Sequence, residues 1–235
     1  MESNTSESQD SWEERLMGEV LLLGFLSKAI QSYPEREWLQ SLNDEEMFME
    51  TPWGNQSGDI TTGLSLLQSW SKKNQKEISE DSLQDLKSDY TRLFIGMGKV
   101  LAPPWESVYF SEERLVFQEQ TLQVRNWYRR FGLESESIYK EPDDHIGLEM
   151  SFVSYLSSLA LKALEEGDDQ KYLELIEAQH QFLSEHLLKW GPYWCGLVLE
   201  NCRTDFYKGL AYLTRGALLS LAAQFDIPTS KEVIR

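Results

Sequence analysis

The sequence predicts an all-α fold, a single-domain helical bundle of about ten helices. Three observations predict it. Apolar residues recur at helical spacing along most of the chain. No run of alternating β-branched residues bounded by turn signals is present. The 7 prolines and 14 glycines fall mostly between the periodic segments, as punctuation. The length of 235 residues, 41% hydrophobic, is enough to bury a sizeable core.

The elements follow in order. The polar first ten residues read as a disordered tail, leaving 11–235 as the helical domain. Ser11 with Glu14 forms a capping-box pattern ahead of Leu16, Val20, Leu23 and Ile30, and Tyr33-Pro34 ends that helix. A short piece surrounds Trp38 and Leu42. Asn43 with Glu46 reads as the cap of another, carrying Met47 and Phe48, before the break Thr51-Pro52-Trp53-Gly54. Ile60, Leu64, Leu67 and Trp70 share one helical face. So do Leu83, Leu86, Tyr90, Leu93, Phe94 and Met97.

Gly96 and Gly98 are suited to end that helix, which opens a loop through Pro103-Pro104. Ser111 is placed to cap a helix running through Leu115, Leu122 and Trp127 to Phe131. Residues 134–143 read as a polar connector and a seam between two halves. Three long helical patterns follow: 144–166, the stretch after Asp168, and the stretch after Asp205. Trp190-Gly191-Pro192-Tyr193-Trp194 reads as a break before a last short piece near Leu197.

Charge narrows the functional classes. Asp and Glu number 39 against 22 Lys and Arg, a net charge of −17. Such a surface repels phosphate backbones and anionic membranes, so neither nucleic-acid binding nor membrane insertion is expected; a basic peptide suits it. Two cysteines and three histidines, without CxxC, argue against a Cys/His metal site or a disulfide framework. The N-terminus has no basic stretch followed by an apolar run, and the longest apolar run, Val20 to Leu23, is far too short to span a bilayer. The expected location is the cytoplasm.

Two segments carry the candidate site. In Pro103-Pro104-Trp105-Glu106-Ser107-Val108-Tyr109, two prolines hold the chain extended. Trp105 and Tyr109 are then free to project on either side of Glu106, as a recognition surface for a basic peptide or as a plain cover for the core. In Glu141-Pro142-Asp143-Asp144-His145-Ile146-Gly147-Leu148-Glu149, Asp143 or Asp144 can cap a helix beginning at His145. His145 and Glu149, four apart, share a face. A small helical hydrolase using His145 with Glu149 is one alternative, although no nucleophile accompanies them. A non-catalytic acidic scaffold is another. His186, on an apolar helix face, reads as a core histidine.

These residues carry a resemblance. Tyr90-x-x-Leu93-Phe94-x-Gly96-x-Gly98, the proline loop, Glu141-Pro142-x-Asp144-His145-Ile146-x-Leu148-Glu149-x-x-Phe152 and Phe182-x-x-x-His186-Leu187-x-x-Trp190 follow in the order seen in the TorD/DmsD/NarJ family of redox-enzyme maturation chaperones. The chain is similar to that family from about Trp12 to Phe225, most specifically from Glu141 to Phe152. The resemblance implies a cytoplasmic chaperone and not an enzyme. Its partner would be an immature molybdoenzyme of the DMSO-reductase type, held through its twin-arginine signal peptide or its mature part until cofactor insertion, with premature export restrained. It implies peptide-binding roles for Trp105, Glu106, Tyr109, Asp144, His145 and Glu149, with no cofactor, catalytic residue or metal. The extra Asp143 departs from the family pattern. Homodimerisation stays open.

Overall fold

The computed structural model describes residues 3–44, 47–51, 57–96, 99–133 and 141–229, with side chains from Trp12 onward. Among the described residues there are ten α-helices and no strands. They are α1 (Ser3–Gln31), α2 (Arg36–Asp44), α3 (Gly58–Lys73), α4 (Glu80–Tyr90), α5 (Ser107–Phe110), α6 (Glu119–Arg130), α7 (Ile146–Glu166), α8 (Asp169–Phe182), α9 (Leu188–Asn201) and α10 (Asp205–Gln224). Two π-helical turns, Thr91–Ile95 and Leu183–Leu187, extend α4 and join α8 to α9. The fold is all-α, as the periodicity requires.

Two pairings between distant parts of the sequence organise the bundle: α1 lies along α7, and α3 along α10. At the first, Leu16, Leu23, Leu26 and Ile30 of α1 and Met150, Val153, Leu156 and Ala160 of α7 are buried in the common core. Ser154 Oγ also donates to the Val20 carbonyl at 3.1 Å. At the second, the axes approach closely because Gly63 has no side chain. A Cβ there would lie 2.8 Å from both the Gly209 carbonyl oxygen and the Leu213 nitrogen. Beside this contact Arg215 holds Asp59 bidentately at 2.7 and 2.8 Å. Both pairings span the connector at 134–143, of which 134–140 lie outside the described residues.

Four local expectations need correction. First, α1 begins at Ser3, ahead of the predicted cap at Ser11, so the segment expected as a tail is helical from that residue. Second, Asn43 does not open a helix. It lies in the last turn of α2 and donates to the Asn74 carbonyl at 3.1 Å, while Met47 and Phe48 lie in a turn. Third, Ser111 terminates α5, and α6 begins only at Glu119. Arg114 and Phe117 between them have φ of 54° and 59°, left-handed values that interrupt a helix. Fourth, α9 passes through Pro192 instead of breaking there. Pro192 is the fifth residue after the wide π turn, and burial of Trp190, Trp194 and Cys195 outweighs its missing donor. Gly96 does end the π turn as expected, at φ 73°; Met97 and Gly98 of that motif, Glu46, and Pro52 to Gly54 lie outside the described residues.

Candidate functional site

The two motif segments, about forty residues apart in sequence, lie edge to edge. Ile146 N–H donates to the Pro104 carbonyl at 2.8 Å and Glu106 N–H to the Asp144 carbonyl at 2.9 Å, which makes an isolated antiparallel bridge between Trp105 and His145. The proline loop is pinned from behind as well. Ala102 N–H donates to Leu93, and Trp194 Nε1 to the Ala102 carbonyl. Tyr109 closes the loop on itself, its hydroxyl donating to the Pro103 carbonyl at 2.6 Å while its ring stacks on Trp190.

Asp143 and Asp144 point in different directions. Asp143 pairs with Arg125 of α6 at 2.6 Å, and its carbonyl accepts from Tyr128. Asp144 is fully buried and accepts from the Ser107 N–H at 2.7 Å and the Thr121 hydroxyl at 2.8 Å. Its carboxylate therefore starts α5 and fastens it to α6. Neither aspartate caps α7, contrary to expectation. That cap is His145 itself, whose Nδ1 accepts from the Gly147 N–H at 3.0 Å. The first turn of α7 is buried, so the ring that bonds back to its own backbone fits where a solvated carboxylate would not.

The other carboxyl groups also face inward. Glu106 is 1% exposed and meets His186 Nδ1 at 2.9 Å. Glu149 is 0% exposed; Trp190 Nε1 donates to its Oε2 at 3.3 Å, and its Oε1 has no partner. Burial raises the Glu149 carboxyl well above the usual range, and the neighbouring Glu106 and Asp144 push it further. Burial also raises Glu106, while the bond to His186 opposes the rise. His145 and Glu149, the pair of the hydrolase alternative, share no side-chain hydrogen bond: Gly147 occupies one and Trp190 the other. At the surface, half-buried Trp105 donates from Nε1 to Glu141 Oε1 at 2.5 Å, and half-buried Tyr109 meets Tyr193 edge-on.

Of the six predicted residues, all surround this one junction, but only Trp105 and Tyr109 reach solvent appreciably. Sequence reasoning missed His186 and Trp190 as members. Their spacing of four, with His186 in the π turn and Trp190 in α9, was the available signal. Among the described residues no cluster of three His, Cys, Asp or Glu is placed to hold a metal ion, and no helix is long and apolar enough to cross a membrane.

Burial lowers the His145 imidazole from 6.5 to about 3. Between those values the unfolded chain binds the extra proton, so this group's contribution to stability falls as pH falls. His145→Asn keeps an N-cap acceptor and removes the titration. Urea melts at pH 7 and pH 5 are expected to show the variant losing about 2 kcal/mol less than the unaltered protein over that interval.

Residues 57–196 match the model of the nitrate reductase delta subunit family. The chain is 31% identical over 155 residues to the Tat proofreading chaperone DmsD of Salmonella typhi, covering 66% of this chain and 68% of that one. It is 26% identical over 186 residues to the chaperone protein TorD of Aliivibrio salmonicida (strain LFI1238), covering 74% and 85%. The matched span contains the proline loop, the acidic junction and the His186–Trp190 turn, and on that ground the chain belongs to the nitrate reductase delta subunit family.

Proposed function

We propose that this protein is a maturation chaperone that binds the twin-arginine leader of a molybdoenzyme of the DMSO-reductase type, and that it works in the cytoplasm without catalysing a reaction. In this reading it holds its client during cofactor insertion and delays export. The observation that carries the reading is the bridge between Trp105 and His145, which fuses the two most distinctive motifs into one face. The named chaperones at 31% and 26% identity support it.

The roles divide by depth. Trp105 and Tyr109 offer ring faces to the leader, with half-buried Glu141 and exposed Glu112 and Glu113 supplying negative charge nearby. Glu106, Asp144, His145 and Glu149 act from beneath by holding the loop in shape. A guanidinium shielded from water gains about 1.5–3 kcal/mol from each charge-assisted bond, against about 0–1 kcal/mol for a solvent-exposed pair. The rings, by excluding water, move the arginines toward the first case.

Titration calorimetry with a leader peptide tests this. The Arg-Arg form is expected to bind at least tenfold more tightly than its Lys-Lys counterpart, because lysine lacks the planar fork that stacks and bonds together. Equal heats for both peptides, or none for either, would sink the proposal.

A further inference from the structure

A groove of about 440 Å³ lies behind the loop, between α6 and the turn joining α8 to α9. Its walls are Gln123, Asn126, Trp127 and Arg130 of α6, and Glu185, His186 and Lys189 on the other side. The volume falls in the range of small-molecule sites. Three features set it apart on a chain of net charge −17. The Arg130 guanidinium lies over the Trp127 ring at 4.1 Å, and among the described residues neither Arg130 nor Lys189 has a carboxylate partner. His186 lines the groove, is 2% exposed and turns Nδ1 to Glu106 at 2.9 Å, and among the described residues its Nε2 has no hydrogen-bond partner. The lining holds a single acid, Glu185, which is exposed, as Arg130 and Lys189 are.

We infer that this groove binds a phosphate group, free or esterified, between Arg130, Lys189 and His186. The donor set favours phosphate over a carboxylate. A guanidinium fork, an ammonium and an imidazole N–H offer more donors, and more positive charge, than one carboxylate satisfies. Gln123 and Asn126 add amide groups at the wall, although Gln123 already donates to Glu119 Oε1 at 2.9 Å. Stacking on Trp127 holds the Arg130 fork in place before the anion arrives, which reduces the ordering cost of binding. Glu106 does the same for the His186 ring, which it holds through Nδ1. Nε2 carries a proton to the groove when the Glu106 carboxyl donates to Nδ1 or when both ring nitrogens are protonated, whereas the neutral Nδ1–H form would offer the anion no donor.

The groove shares His186 with the junction beneath the loop, but its test needs no peptide. Imidazole ¹H–¹⁵N spectra of the full chain are followed while orthophosphate, phenyl phosphate or acetate is added at constant ionic strength. Saturable shifts of the His186 resonances are expected with orthophosphate and phenyl phosphate; tighter binding of the second points to an esterified ligand, equal binding to free phosphate. Arg130→Gln and Lys189→Gln are each expected to weaken binding at least tenfold. Lys171→Gln is expected to leave it unchanged, since Lys171 lies in the adjoining groove and pairs with Glu174 at 3.4 Å. No saturable shift, acetate binding as tightly as phosphate, or equal weakening by Lys171→Gln overturns the inference.

Discussion

Replacing Asp144 by alanine is expected to destabilise the protein by about 2–4 kcal/mol and to weaken leader binding with it. The substitution strands two buried donors, the Ser107 N–H and the Thr121 hydroxyl. Neither Ser107 nor Thr121 is more than 1% exposed, so water does not readily replace the lost acceptor. The four-residue helix α5 then loses the group that starts it, and Tyr109 within α5 loses its fixed position. Asp144→Asn retains one acceptor oxygen and should cost about half as much. Denaturant melts give the stability change, and calorimetry with the Arg-Arg peptide gives the affinity. An Asp144→Ala protein of unchanged stability and affinity would show that the carboxylate is not the fastening we describe.

The second large effect is expected far from the loop. Glu19 of α1 is buried and accepts from Ser157 Oγ at 2.6 Å, Gln179 Nε2 at 2.7 Å and Gln224 Nε2 at 2.8 Å. One side chain thus joins α1, α7, α8 and α10. Burial raises its carboxyl above the usual range, against the pull of those three bonds and of Arg15. Glu19→Ala leaves the partners unsatisfied and opens a cavity, for an expected loss of about 3–5 kcal/mol. For a domain of this size that is a fall of roughly 6–20 °C in melting temperature. Glu19→Gln keeps an acceptor oxygen and its shape, and should lose no more than about 1.5 kcal/mol. Thermal unfolding of the two variants distinguishes a hydrogen-bonding role from a charge role.

The helices were legible because their apolar spacing is regular; the site was legible only as a set of segments. Periodicity located α3, α4, α7, α8 and α10, and motif order grouped Trp105, Glu106, Tyr109, Asp144, His145 and Glu149. It did not give the direction of each side chain. Peptide-binding roles were expected for Glu106, Asp144 and Glu149, yet these carboxyl groups turn inward: Glu106 meets His186, Asp144 accepts from the Ser107 N–H, and burial raises the Glu149 carboxyl and so favours its uncharged form. Their partners include Thr121, His186 and Trp190, which no local spacing links to residues 103–109 or 141–149. The interruption at 111–118 escaped notice because left-handed backbone at Arg114 and Phe117 has no glycine to announce it. Pro192 misled for the opposite reason: burial of its neighbours overrode a strong local breaker.

The pairing of α1 with α7 and of α3 with α10 bears on how the molecule is made. A nascent chain leaving the ribosome carries α1 and α3 long before the surfaces that cover them exist. Until α10 has emerged, Gly63 has nothing to nestle against and Glu19 lacks Gln224. Early helices must therefore wait with apolar faces open, and closure comes late and all at once. A chain proposed to shelter other unfinished chains thus passes through the same exposed stage itself.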